Sequence, residues 1–373
     1  DVNVIDMDRI KLGKPWLAEV EQLDAATDFG LAQELRRSRR VAGIEDICVS
    51  HVDVFRTECY DYQPWIEIKH SELAGACGMT EATFDDRDGF IWMDGALRPW
   101  REANVHVLTH AMHYASAVFE GVRCYGGKVF KLSEHSQRLI DSAKILGFDL
   151  PWTRDEIDAA INETVAANNF TDCYIRPIAW RGSEQMGVAA QKTKAHLAVS
   201  AWEWGAYFGD EALAKGLRLM IAPWRRPAPY TIPVRSKAAG LYMICTLSKH
   251  AAADAGYDDA LMFDWRGQVA EATGANVFFV ADGKLHTPTP DCFLDGITRR
   301  TVIDLARRRG IEVIERAIWP EELAGFEQAF LTGSAAEVTP LAEIGPWTFE
   351  VGALTRQLQA DYRDFVRGVL PAS

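Results

Sequence analysis

DDALMFDWRGQVAEATGANVFFVADGKLHTP, residues 258–288, holds apolar runs interrupted at short intervals by turn residues. Asp264-Trp-Arg-Gly267 divides the first half, and Asp282-Gly283 divides the second. A glycine-bearing turn between β-prone runs predicts an antiparallel hairpin. The same pattern recurs upstream. FIWMDGALRPW (90–100) reads as strand, Asp-Gly turn, strand, and VFEGVRCYGGKVFKL (118–132) as a hairpin across Gly126-Gly127. Paired strands are expected near 173–181 and 195–202. Strands that come in hairpins rather than βαβ repeats disfavour a Rossmann arrangement, and neither GxGxxG nor GxxxxGK[ST] occurs.

Helices fall between the strand pairs. In SEHSQRLIDSAKILGF (133–148), Leu139, Ala143 and Leu146 share one face, and Ser133 is placed to cap it. Thr153-Arg-Asp-Glu156 is a capping box that opens a second helix. Further helices are expected at 241–254, at 297–310 with Gly310 at its end, and near 352–369. MIAPWRR (220–226), GIEVIER and QAFLTGSAA supply strands. WEWGAYFGDEALAKG (202–216) breaks the periodicity, like an interdomain connector. The expected fold class is α/β (α+β): a small domain at 83–204, a connector at 205–215 and a larger domain at 216–373.

Residues 1–82 differ from the rest. A helix is expected over 17–40, a strand at WIEIKH (65–70) and a linker over 75–89. This extension carries no chemical motif and reads as an appendage or an oligomer contact. The chain opens at Asp1 rather than Met, which points to a start upstream or to processing.

The 373 residues are 48% hydrophobic and 25% charged, an ordinary globular balance. Forty basic and 53 acidic residues leave a formal charge of −13, which argues against nucleic-acid binding. Seven cysteines, an odd number with no CxxC spacing, argue against a disulfide framework or a metal site and favour a reducing, cytoplasmic setting. There is no run of 18 apolar residues and no signal-peptide pattern, so no membrane association is expected.

Four short stretches carry chemistry. In RSKAAGLYMICTL (235–247), Lys237 stands among small and apolar residues with no carboxylate beside it. Desolvation lowers a lysine's pKa, and a neutral amine attacks carbonyls, so Schiff-base chemistry suits such a site. DGITRRTVIDLARRRG (295–310) opens a helix with a Gly-Ile-Thr turn, a seat for phosphate. In QVAEATGANVFFV (268–280), Glu271 needs a cationic or N–H partner, which a protonated pyridine nitrogen can supply. LTGSAAEVTP (331–340) presents backbone N–H groups without bulky side chains, suited to a carboxylate or phosphate. Each also has a plain structural reading: a snorkelling lysine, a capped helix, a turn glutamate paired with an arginine, and a tight strand-to-helix turn.

Their order and spacing carry more than any one of them. With HAMHYASAVFEGVRCY (110–125), HSQRL (135–139), YIRP (174–177), WGAY (204–207), SKAAGLY (236–242), AEATGANVFFV (270–280), LDGITRR (294–300) and TGSAAEVTP (332–340), the chain resembles the class IV (fold-type IV) pyridoxal-phosphate aminotransferases. Among them it is most similar to the branched-chain amino acid aminotransferases. The resemblance implies two α/β domains with pyridoxal 5'-phosphate at their interface, and Lys237 as the lysine that bonds it. It implies that Glu271 pairs with the pyridine nitrogen. Arg138, Ile297, Thr298 and Ser334 hold the phosphate, Leu294 packs on the ring, and Tyr242 lies beside the cofactor. Ser334 stands where many relatives have threonine, and keeps the hydroxyl.

For the substrate, the resemblance implies an aromatic lining of Phe119, Tyr174, Trp204 and Tyr207 and a polar edge of Tyr114, Arg123 and Arg176. Arg176 is the candidate for glutamate's distal carboxylate, because a guanidinium fork fits a carboxylate. Ala335 and Ala336 offer N–H groups to the α-carboxylate. The implied reaction is transamination between L-leucine, L-isoleucine or L-valine and 2-oxoglutarate, in an assembly of at least two copies. D-amino acid aminotransferases carry an Arg-x-His trap where this chain has YIRPIAWRGSEQMGV without histidine. Aminodeoxychorismate lyases and (R)-amine transaminases are the alternatives within the class.

Overall fold

A computed structural model describes residues 83–205 and 209–370. The helix expected over 17–40, the strand at 65–70 and Tyr207 lie outside the described residues. The first sheet takes β1 (Phe90–Met93), β2 (Ala96–Pro99), β3 (Ala117–Phe119), β4 (Val122–Tyr125), β5 (Lys128–Val129), β6 (Cys173–Arg181) and β7 (Ala195–Glu203). Its order is β2-β1-β7-β6-β4-β5, with β3 also on β6. Helices α1 (His110–Tyr114), α2 (Leu132–Ile145) and α3 (Arg154–Ala167) accompany it, and α4 (Gly209–Lys215) follows.

The second sheet takes β8 (Leu217–Ile221), β9 (Asp259–Phe263), β10 (Val269–Ala272), β11 (Asn276–Ala281), β12 (Lys284–Pro288), β13 (Val313–Arg316), β14 (Gln328–Gly333), β15 (Glu337–Ile344) and β16 (Trp347–Thr348). With it go α5 (Met243–Asp254), α6 (Ile297–Arg308) and α7 (Ala353–Val366). Six strands, β10-β9-β8-β15-β14-β11, close on themselves through the single pair Glu271–Asn276 between β10 and β11.

The predicted hairpins form where the turn chemistry placed them. Asp94-Gly95, Gly126-Gly127 and Asp282-Gly283 all have positive φ, the two-residue turn that matches strand twist. Two parallel crossovers, β8-α5-β9 and β12-α6-β13, add to them, contrary to the hairpin-only reading. They escape a sequence reading because 222–238 separates β8 from its helix and β13 is short and half-buried. Ser133 is not the cap of α2. The helix starts one residue earlier from Lys131 in the left-handed region, and Ser133 Oγ donates instead to Asp158 Oδ2 at 2.5 Å. The Thr153–Glu156 capping box forms as read.

Two cores follow from strand alternation. In the first, Leu139, Ala143, Ile157 and Ile161 of α2 and α3 cover Val122, Cys173, Ile175 and Leu197. In β11, Val277 and Phe279 face the inside of the ring, while Phe278 and Val280 face α6 and α7. Burial of both faces explains the unbroken apolar run NVFFV. Phe278 stacks on Phe330, centroids 5.1 Å apart.

The segment around Lys237 belongs by sequence to the second half but packs on the first core. Val118 and Ala238 form a bridge, and Phe119 N donates to Lys237 O at 3.1 Å. Lys237 N donates to Ser142 Oγ, and Ser236 Oγ to Ser142 O, both at 3.0 Å. Ala238 and Leu241 join the first core. The small, apolar neighbours of Lys237 are therefore the stitch between the two sheets.

Candidate active site

A cleft opens at this stitch, lined by Gly121, Arg138, Tyr174, Lys237, Tyr242, Gly274–Asn276, Leu294, Gly296–Thr298 and Thr332–Ala335. Lys237 Nζ donates to the Tyr242 hydroxyl at 2.8 Å and stands 5.1 Å from the centre of the Phe119 ring. The amine is thus held by one hydroxyl and two aromatic faces, and no carboxylate of the described residues pairs with it.

One end of the cleft is built for an anion. Gly296 is the N-cap of α6 and supplies no side-chain bond to its first turn, so the backbone donors there point outward. Thr298, Ser334 and Arg138 line the cleft beside them. Arg138 is fixed from behind: Nε and Nη2 donate to the two oxygens of Glu120 at 2.6 and 2.8 Å. Glu120 is fully buried and also meets His135 Nδ1 at 2.7 Å. Burial works against its charge, but Arg138's charge and paired bonds, with His135, hold its carboxyl well below the usual range. Sequence reasoning missed Glu120 and His135. The legible signal was the i, i+3 pair His135–Arg138 on one helix face.

A second, smaller cavity adjoins the cleft through Tyr242, Gly274 and Leu294, and Glu271 stands in its wall, 13% exposed. Arg226 Nε lies 3.4 Å from its Oε1, and Asn276 Nδ2 donates to Oε2 at 3.3 Å. Neither partner was found from sequence; Arg226 sits in an unremarkable WRRP stretch. Burial pushes the Glu271 carboxyl up to about 7, against the cations Arg226 and Lys237. A carboxyl raised from 4.5 contributes stability that is full below 4.5 and lost as pH rises through about 7. Glu271→Gln cannot ionise, so without cofactor it should gain about 3 kcal/mol over wild type between pH 4.5 and 8. Urea unfolding across this range measures the gap; a gap independent of pH contradicts the assignment.

The other expected residues divide into three groups. Tyr174, Arg176, Phe119 and Trp204 cluster beside the cleft. Arg176 Nη2 donates to the Tyr174 hydroxyl at 3.1 Å, its guanidinium lies 4.8 Å from the Phe119 ring, and the Tyr174 and Trp204 rings are 5.1 Å apart. Gly121 makes room for Tyr174, whose hydroxyl would lie 2.1 Å from any Cβ there. Ser334 and Ala335 reach the cleft wall, while Ala336 is buried behind them. They form the turn of the β14–β15 hairpin rather than a strand-to-helix turn. Arg123 and Tyr114 are not brought to the cleft. Arg123 is buried, 3.7 Å from Glu337, whose Oε1 also accepts from Tyr125 at 2.7 Å. Tyr114 is exposed on α1, its ring 4.6 Å from His110.

Away from the cleft, Asp264, Asp291 and Cys292 bring possible ligand atoms within 4.8 Å of one another. Arg266 already bonds both carboxylates, so this cluster has its cation.

Residues 117–344 match the family model for class IV amino-transferases. A branched-chain-amino-acid aminotransferase of Pseudomonas aeruginosa is 42% identical over 290 residues, covering 76% of this chain and 94% of that protein. The chain belongs to the class IV aminotransferases, in their branched-chain group. A crystal structure of the branched-chain aminotransferase of Thermoproteus uzoniensis with norvaline superposes with a TM-score of 0.72 at 38% identity, covering 76% of this chain and 96% of that one. The enzyme of Thermobaculum terrenum in its PLP form superposes at 0.70 with 34% identity, covering 75% and 94%.

Pyridoxal phosphate is the cofactor of this aminotransferase, and the cleft suits it. An uncapped helix start, an arginine, residues bearing hydroxyls and a lysine amine line the cleft, and a carboxylate stands in the cavity that adjoins it. Thr332 Oγ1 is buried on the cleft wall with no hydrogen-bond partner among the described residues, a polar atom that a ligand can satisfy.

Proposed function

We propose that this aminotransferase moves the amino group of L-leucine, L-isoleucine or L-valine to 2-oxoglutarate, giving branched-chain 2-oxo acids and L-glutamate. The observation that carries the reading is the Phe119 ring, which has Lys237 Nζ 5.1 Å from its centre and the Arg176 guanidinium 4.8 Å from it. A reacting α-carbon beside Lys237 thus leaves its side chain against Phe119 and Tyr174. An apolar chain rests on those rings, and a distal carboxylate reaches Arg176.

The bound cofactor supplies an electron sink for the carbanion left at the substrate's α-carbon. Lys237 Nζ would take the substrate's α-proton as general base and later give a proton back as general acid. Tyr242 keeps that amine aimed into the cleft between the two transfers. Glu271, in its ionised form, would hold a proton on the cofactor's ring nitrogen. Arg138, Thr298, Ser334 and the first turn of α6 would hold the phosphate, Ile297 would supply part of that turn, and Leu294 would cover the ring.

Arg176→Ala should raise KM for 2-oxoglutarate about 10- to 100-fold, the worth of a charge-assisted hydrogen bond, and leave KM for L-leucine nearly unchanged. Steady-state kinetics with both substrates decides; equal losses remove Arg176 as the reader of the distal carboxylate.

Tyr114 enters this reading through a second copy of the chain. It lies in an exposed apolar surface with Val107, Leu108, Met112 and Val188, the last 84% exposed. His110 Nε2 ties α1 to this loop through Gly187 O at 3.0 Å. Such a surface marks an interface, and a homodimer in which Tyr114 and Val188 approach the partner's cleft accounts for it. A monomer by sedimentation would contradict this. A reducing cytoplasm suits the buried free thiols Cys124, Cys173, Cys245 and Cys292, and no described helix is long and apolar enough to cross a membrane.

A further inference from the structure

The groups that face the cofactor's ring and phosphate lie on separate segments. Glu271 is on β10, Leu294 is in the loop before α6, and Gly296 begins α6. Asn276 touches all three. Its Nδ2 donates to Glu271 Oε2 at 3.3 Å and to Leu294 O at 3.0 Å. Its Oδ1 packs so closely on Gly296 that a Cβ there would come within 2.3 Å. The side chain is 5% exposed. Its backbone forms the single β10–β11 pair with Glu271 and faces Thr332 across β14.

We infer that Asn276 is a positioning residue for the reaction: its amide orients the Glu271 carboxylate and locks it in register with the ring-covering Leu294 and the start of the phosphate helix. This rests on the reading that Glu271 meets the ring nitrogen. Arg226 faces one carboxylate oxygen and Asn276 the other, so the carboxylate plane is set from two sides. Only an amide fits the second role. Aspartate lacks the donors and sets a second carboxylate against Glu271, and alanine leaves Glu271 free to turn toward Arg226.

The test uses the holoenzyme, with Asn276→Ala, Asn276→Asp, Glu271→Gln and the double variant Glu271→Gln/Asn276→Ala. The readouts are the pH midpoint of the bound cofactor's visible band, cofactor retention on dialysis, and kcat and KM for L-leucine. Asn276→Ala should move the midpoint upward by about half to one pH unit, because a looser carboxylate holds less positive charge at the ring nitrogen. It should lower kcat on the order of 100-fold, the cost of a misplaced group, while KM changes little. Asn276→Asp should move the midpoint further in the same direction. In the Glu271→Gln background, removing Asn276 should move the midpoint no further, since its action runs through Glu271. An Asn276→Ala enzyme with lowered Tm but wild-type midpoint and wild-type kcat per bound cofactor overturns the inference and leaves Asn276 purely structural. If Asn276→Ala does not fold, Asn276→Asp and Asn276→Ser are held to the same midpoint and kcat criteria. A wild-type midpoint in Glu271→Gln itself overturns the reading of Glu271 beneath it, which the Asn276 variants alone cannot do.

Discussion

Lys237→Ala is expected to abolish transamination, with a loss of about 10⁴-fold or more, because one amine serves as both nucleophile and proton carrier. No other described amine lines the cleft to take over. The loss should come without unfolding. The bonds that stitch this segment to the first sheet, from Lys237 N to Ser142 Oγ and from Phe119 N to Lys237 O, are made by backbone atoms that alanine retains. The side chain gives up one hydrogen bond to Tyr242 and its contact with Phe119 and Tyr242, worth about 1–2 kcal/mol together. Single-turnover assays beside thermal melts separate the two effects. A folded variant with rates within tenfold of wild type would remove Lys237 from the chemistry.

Glu120→Ala should cost about 3–5 kcal/mol of stability, the usual penalty for stranding one member of a buried ion pair. The carboxylate is fully buried, and Arg138 has two of its donors on it. Burial pushes His135 toward its neutral form, although Glu120 pulls the other way, so Arg138 supplies the balancing charge. The variant should also lose cofactor more readily, because nothing then holds Arg138 toward the α6 terminus. Because the Glu120 pKa is held below its ordinary 4.5, the pair's contribution is present above that value and fades as pH falls through the folded one. Urea unfolding at pH 7 and pH 4 should show a larger wild-type advantage at pH 7. Glu120→Ala/Arg138→Ala should recover part of the loss at pH 7. A single-variant loss below about 1 kcal/mol would contradict the assignment.

Much of the fold was legible because its turns are chemically explicit. Asp94-Gly95, Gly126-Gly127 and Asp282-Gly283 announce positive-φ hairpins, and Thr153–Glu156 announces a helix start. The parallel crossovers were not legible, since which strands meet across an intervening helix is a tertiary outcome. The same division runs through the site. Lys237, Ile297, Thr298 and Ser334 carry local signals: an odd lysine, an uncapped glycine-led helix, a small-residue turn, whereas Leu294 is named by the family resemblance alone. Glu120, Arg226 and Asn276 matter through partners that only the folded sheets bring near, and Ser133 shows the converse, a plausible cap drawn away by Asp158. Arg123 looked like a pocket residue in its motif, yet its partner is Glu337, more than 200 positions away.

Lysine-centred transamination of branched-chain L-amino acids can be watched directly. The most direct test is the visible absorption spectrum of the purified holoenzyme during titration with L-leucine, with D-leucine as control. L-leucine alone should remove the cofactor's visible band, and 2-oxoglutarate should restore it. A band that ignores L-leucine, or responds equally to D-leucine, would contradict it.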